Sequence, residues 1–120
     1  MEEIVLVDGV WDYEEEFDYG KSSGKIFFTQ TGNALKGKAV LTETDSDGQT
    51  IVIEEIIEGE VRGSKVIFYG ISFQSNDLKS DQTYNLDNWE GLYTQEKKIV
   101  GHTYDQDQIC GVFVMTLLLR

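Results

Sequence analysis

The chain has 120 residues, with 22 acidic against 10 basic side chains, a formal net charge of −12, one cysteine and no proline. Hydrophobic residues make up 40% and aromatics 12%, which excludes a disordered chain and suits one domain spanning 1–120. The negative field opposes direct nucleic-acid or anionic-membrane binding, and no run approaches the ~18 apolar residues of a membrane helix. Cys110 has no partner for an internal disulfide, and Ile4 to Val7 is too short for a signal segment. A cytoplasmic protein is therefore expected.

The first strand is expected from Ile4 to Phe17, with Trp11 and Tyr13 on one face and Asp12, Glu14 and Glu16 on the other. Gly9, two residues before the tryptophan, lets the strand bend while the indole closes one end of a barrel; an ordinary buried tryptophan fits the same pattern. The run Glu14-Glu15-Glu16 with Asp18 reads as a solvated acidic edge, because neighbouring side chains on a strand diverge. Gly20 to Gly24 reads as a turn and Lys25 to Gln30 as strand two. Strand three places Leu35, Gly37, Ala39 and Leu41 on one face, and Lys36, Lys38, Val40 and Thr42 on the other. Asp45-Ser46-Asp47-Gly48 lacks the ligand spacing of a calcium loop and reads as a tight hairpin.

Strand four, Thr50 to Arg62, sets Ile51, Ile53, Ile57, Gly59 and Val61 inward, with Glu55 in the same row. Either a β-bulge near Glu54-Glu55 swaps the phase, or Glu55 points into the barrel, where a carboxylate needs partners or a raised pKa. Strand five runs from Lys65 to Phe73, and Gln74 to Gln82 is the longest polar connection. Three further strands follow: Trp89 to Tyr93, Ile99 to Tyr104 and Gly111 to Leu118. Gln95-Glu96-Lys97 and Asp105-Gln106-Asp107 separate them. No segment carries helical periodicity with caps. Eight strands in an open sheet would leave two edges, which closure removes. The predicted fold is all-β, an eight-stranded antiparallel up-and-down (meander) β-barrel.

With Gly9-Val10-Trp11 near the start, eight short strands, and Gly111-Val112-Phe113-Val114-Met115 near the end, the chain resembles the calycin-type barrels. It is more similar to the streptavidin-like (avidin-like) barrels than to lipocalins or fatty-acid-binding proteins, which usually carry a helix or helical lid. The resemblance implies that Arg120 packs over Trp11, and that copies associate through the outer walls of their later strands. Biotin binding does not carry over, because Trp11 and Trp89 are the only tryptophans.

His102 is the only histidine, so no multi-histidine metal site can form. A symmetric hairpin about Asp105-Gln106-Asp107 would set it almost opposite Cys110, but a surface histidine beside a small cysteine is the plainer reading. No serine elbow, phosphate loop or glycine fingerprint is present. No catalytic residue, metal or cofactor is therefore assigned, and a binding protein is expected rather than an enzyme. Tyr13, Glu55, Trp89 and Tyr93 would suit a barrel mouth that takes a small molecule, unless large side chains simply fill the lumen. Ile67, Tyr69, Ile71 and Phe73, with Val112, Val114 and Leu118, are expected to face outward as an apolar wall that favours a two-fold homodimer. The alternative is an interaction module, an inhibitor or anti-defence protein, that binds a basic partner through its acidic surface.

Overall fold

The computed structural model describes residues 5–78 and 84–119. Its strands are β1 (Gly9–Phe17), β2 (Gly20–Thr31), β3 (Ala34–Asp45), β4 (Thr50–Arg62), β5 (Lys65–Gln74), β6 (Asn88–Tyr93), β7 (Lys98–Tyr104) and β8 (Cys110–Leu119). Each pairs antiparallel with the next, and β1 also pairs with β8, so the sheet closes on itself in up-and-down order. Closure leaves no edge strand to cap. The expected fold class is the observed one.

Period-two alternation fills the lumen. Trp11, Tyr13, Ile26, Leu41, Ile53, Phe68, Trp89, Ile99 and Met115 are buried on the inner face. Tyr13 stacks on Phe113, Phe68 stacks on Trp89, and Phe28 meets Phe68 edge-on. Fully burying each such side chain contributes on the order of 2–3 kcal/mol. Large side chains thus occupy the middle of the barrel.

One end is shut by the segment before β1, where a strand from Ile4 is expected. Residues 5–8 have left the strand, and Gln30 holds them: it accepts from the Val7 N–H at 2.7 Å and donates to the Val5 carbonyl at 2.9 Å. The Trp11 indole donates to the Val7 carbonyl at 2.8 Å, and Tyr93 lies edge-on to Trp11. The implied position of Arg120 lies outside the described residues.

Two further expectations change. The first hairpin turns at Asp18-Tyr19, and Gly20 to Gly24, expected as a turn, belongs to β2. On β4 the inward phase never breaks, so Glu55 points into the barrel. The irregularity falls on β5 instead: Ile56 pairs with Ser72 and Ile57 with Gly70, leaving Ile71 as the extra residue of a bulge. Beyond that bulge Phe73 pairs with Glu55 and shares its side of the sheet, so it does not join the outer wall.

Candidate ligand site at the open end of the barrel

At the opposite end from Trp11 the lumen opens into a cavity of about 350 Å³. Phe17, Ile51, Leu78 and Ile109 give it apolar walls, and Glu15, Glu43, Tyr84, Asp87, Thr103 and Asp105 supply oxygen. The connection between β5 and β6 is tied down at both of its described ends. Val52 N–H donates to Asp77 at 2.7 Å and Ser75 Oγ donates to the Val52 carbonyl at 2.6 Å. Further along, Gly70 N–H donates to the Asp87 carbonyl at 2.9 Å, and Gln106 donates to Asn85 at 3.0 Å.

A hydrogen-bond chain runs from the barrel centre to the cavity floor. Trp89 Nε1–H donates to Tyr13 Oη at 2.8 Å, Tyr13 donates to Glu15 Oε1 at 2.5 Å, and Thr103 donates to Glu15 Oε2 at 2.7 Å. Gly111 makes room for that carboxylate, since a Cβ there would fall on Glu15 Oε2 and crowd Thr103 Oγ1. Burial raises the pKa of Glu15, and the bonds from Tyr13 and Thr103 oppose the rise. Tyr13 is held well above its ordinary value by burial and by the adjacent Glu15 charge.

A second cluster surrounds Tyr84. Its hydroxyl donates to Asp87 Oδ2 at 2.7 Å and lies 3.5 Å from Glu55 Oε2, while Asp87 N–H donates to Glu55 Oε1 at 3.2 Å. Glu55 is fully buried behind these residues, and a Cβ on Gly70 would collide with its carboxylate. Burial first, and the neighbouring Asp87 charge second, raise the pKa of Glu55; burial likewise raises that of Asp87. Glu43 is pushed up to about 7 by burial and then by Asp87, with a bond from Tyr84 opposing the rise. Burial and the surrounding carboxylates also raise the pKa of Tyr84.

The sequence-predicted site residues separate in space. Tyr13 and Trp89 are joined beneath the cavity, Glu55 stands behind its wall, and Tyr93 lies at the closed end against Trp11. Glu15, expected on the solvated acidic edge, is only 8% exposed and faces inward between exposed Glu14 and Glu16. Strand phase signals it, because it continues the row of Trp11 and Tyr13. The same phase signals Glu43 after Ala39 and Leu41, and Thr103 after Ile99 and Gly101. Tyr84 and Asp87 carry no periodic signal.

On the outer wall Tyr69, Ile71, Val112, Val114 and Leu118 are exposed and Ile67 is half-buried. Leu92, Val100 and Val114 form one apolar cross-strand row, while Glu90 and His102, whose side chains approach to 3.2 Å, stand between Ile67 and Val112. His102 pairs with Val112 and Cys110 with Tyr104, so the histidine and cysteine are not opposite each other. Among the described residues no group of three or more His, Cys, Asp or Glu is placed to hold a metal ion, and no helix is long and apolar enough to cross a membrane.

No protein-family profile and no curated protein matches the chain. Solved structures do resemble it. A redesigned β-barrel, mFAP1, bound to DFHBI has a TM-score of 0.64 at 14% identity, covering 91% of this chain and 93% of that one. A de novo designed fluorescence-activating β-barrel has a TM-score of 0.59 at 17% identity, covering 93% and 94%. The redesigned barrel mFAP0, also bound to DFHBI, has a TM-score of 0.58 at 15% identity, covering 93% and 99%. At these identities the likeness is one of fold.

Proposed function

We propose that this chain is a non-catalytic binding protein that takes a small molecule into the open end of its barrel. The observation that carries this reading is the cavity of about 350 Å³ set over the Tyr13–Glu15–Thr103 floor. Its size lies near the lower end of the range of roughly 300–1,000 Å³ for small-molecule sites, and it combines apolar walls with a few fixed polar groups. Solved barrels of similar fold bind a small dye, which supports the reading without identifying a ligand. The finer kinship expected from the sequence, with calycin-type and avidin-like barrels, is compatible with it. Native mass spectrometry of protein purified gently from its source tests the proposal. A bound mass that disappears in Ile51→Trp, which fills the cavity, is the expected result; a bound mass that survives the substitution places the ligand elsewhere.

A homodimer is the second reading, favoured by the exposed Leu92–Val100–Val114 row. Light scattering on wild type and Val114→Lys tests it: dimer converting to monomer supports it, and a wild-type monomer refutes it.

A further inference from the structure

We propose that the open end of the barrel selects a small organic cation, an ammonium or amidinium group on a compact apolar body, with Glu43, Glu15 and Ser22 as its polar contacts. This rests on the reading of the cavity as a ligand site and adds the chemistry of the ligand.

Ser22 is the independent pointer. It lies on the inner face of β2, paired with Glu15 on β1 and Glu43 on β3, so one cross-strand row reads Glu15–Ser22–Glu43. The residue is only 3% exposed, yet its Oγ has no hydrogen-bond partner among the described residues. A buried hydroxyl left unpaired costs about 1–3 kcal/mol. Set on the inner face between two carboxylates that line the cavity, it keeps an unused capacity to accept an N–H from a ligand.

Charge points the same way. The ion pairs among the described residues join Lys25 to Asp12, Lys38 to Glu54 and Arg62 to Glu60, and His102 Nε2 lies 3.2 Å from Glu90. None of them involves Glu15, Glu43, Asp87 or Asp105, so these acids face the cavity without a described basic partner. Low-dielectric barrel walls focus such a field. An anion would meet acceptors, since Thr103 and Tyr84 already direct their hydroxyl hydrogens at carboxylates. A hard metal ion needs converging oxygens, which the described acids do not provide. Two spaced carboxylates in a cavity also lined by Phe17, Ile51 and Ile109, with the Ser22 hydroxyl between the carboxylates in the strand register, suit a cation that carries several N–H donors and a hydrocarbon face.

Glu43 faces Asp87, Glu15 and Asp105, and burial together with those charges pushes it up to about 7. An arriving cation therefore displaces a proton as it binds.

Benzamidine, benzamide and benzoate form a shape-matched series of positive, neutral and negative probes. Binding is followed by amide shifts of Ser22, Thr103 and Ile109, and by calorimetry in two buffers of different ionisation enthalpy. The expected result is benzamidine binding about tenfold or more tighter than benzamide, as a charge-assisted hydrogen bond implies. Benzoate should fail to bind, and the benzamidine heat should vary with buffer as protons are released. Glu43→Gln should remove the benzamidine preference and leave benzamide binding in place, and Ser22→Ala should weaken benzamidine alone. Benzamide binding as tightly as benzamidine would overturn the cation inference while leaving the cavity reading standing. Benzamidine shifts confined to outer residues such as Glu14 and Glu16, and unchanged in Glu43→Gln, would overturn it as mere surface attraction. Failure of all three probes to shift the cavity amides would count against both readings.

Discussion

Trp89 Nε1 and Tyr13 Oη meet at 2.8 Å inside the barrel, although their residues lie 76 positions apart in the chain. The bond joins β6 to β1 and sets the Tyr13 hydroxyl to donate onward to Glu15. A core of stacked rings thereby fixes the orientation of a carboxylate at the cavity floor.

Tyr13→Phe tests that coupling. It leaves the Trp89 N–H buried without an acceptor and removes one donor from Glu15. The expected loss is about 1–3 kcal/mol in denaturant unfolding. Glu15 should also titrate at higher pH by carboxyl NMR, because a bond that favours its charged form is gone. An unchanged stability would show that the hydroxyl is dispensable to the core.

Stability should fall as pH rises from about 4.5 to about 7, the interval between the ordinary carboxyl value and that of Glu43. The folded state keeps the Glu43 proton to higher pH than the unfolded chain does. Below the unfolded value both states are protonated and the folded state carries no ionisation penalty; the penalty grows until pH passes the folded value. Glu15, Glu55 and Asp87 shift in the same direction. Thermal melts across this range should move down with pH, and Glu43→Gln should flatten the slope. A melting temperature that climbs from pH 5 to 7 would contradict the burial of these acids.

Gly111→Ala should destabilise the barrel by about 1–3 kcal/mol, since its Cβ would overlap the Glu15 carboxylate. Gly63→Ala is the comparison. Its Cβ would meet nothing within 4 Å, though its φ of 60° gives it a modest strain of its own. Unfolding midpoints of the two variants separate crowding in the lumen from backbone strain. Equal losses would mean that Glu15 can move aside freely.

Alternation and turn chemistry made the barrel legible, because closing eight amphipathic strands leaves one face inside. Strand phase also contained Glu15, Glu43 and Thr103. Reading Glu14-Glu15-Glu16 as one acidic edge obscured the middle residue, although alternate residues on a strand face opposite sides. The Ile71 bulge was not legible, since nothing in Tyr69-Gly70-Ile71-Ser72 marks which residue is extra. Residue type alone suggests Tyr93 for the mouth, but it ends β6, which runs from the open end to the closed end, and so it lies beside Trp11. Tyr84 and Asp87 sit in a connection whose path depends on Glu55 and Gly70, and local sequence does not encode such contacts.

The ligand site at the open end is tested most directly by a ligand-observed NMR fragment screen run in parallel on wild type and Ile51→Trp, both confirmed folded by their amide spectra. Fragments are expected to bind wild type, shift the amides of Thr103 and Ile109, and lose binding when the indole fills the cavity. Fragments that bind both proteins equally, or a wild type that binds none, would contradict a ligand site at the open end of the barrel.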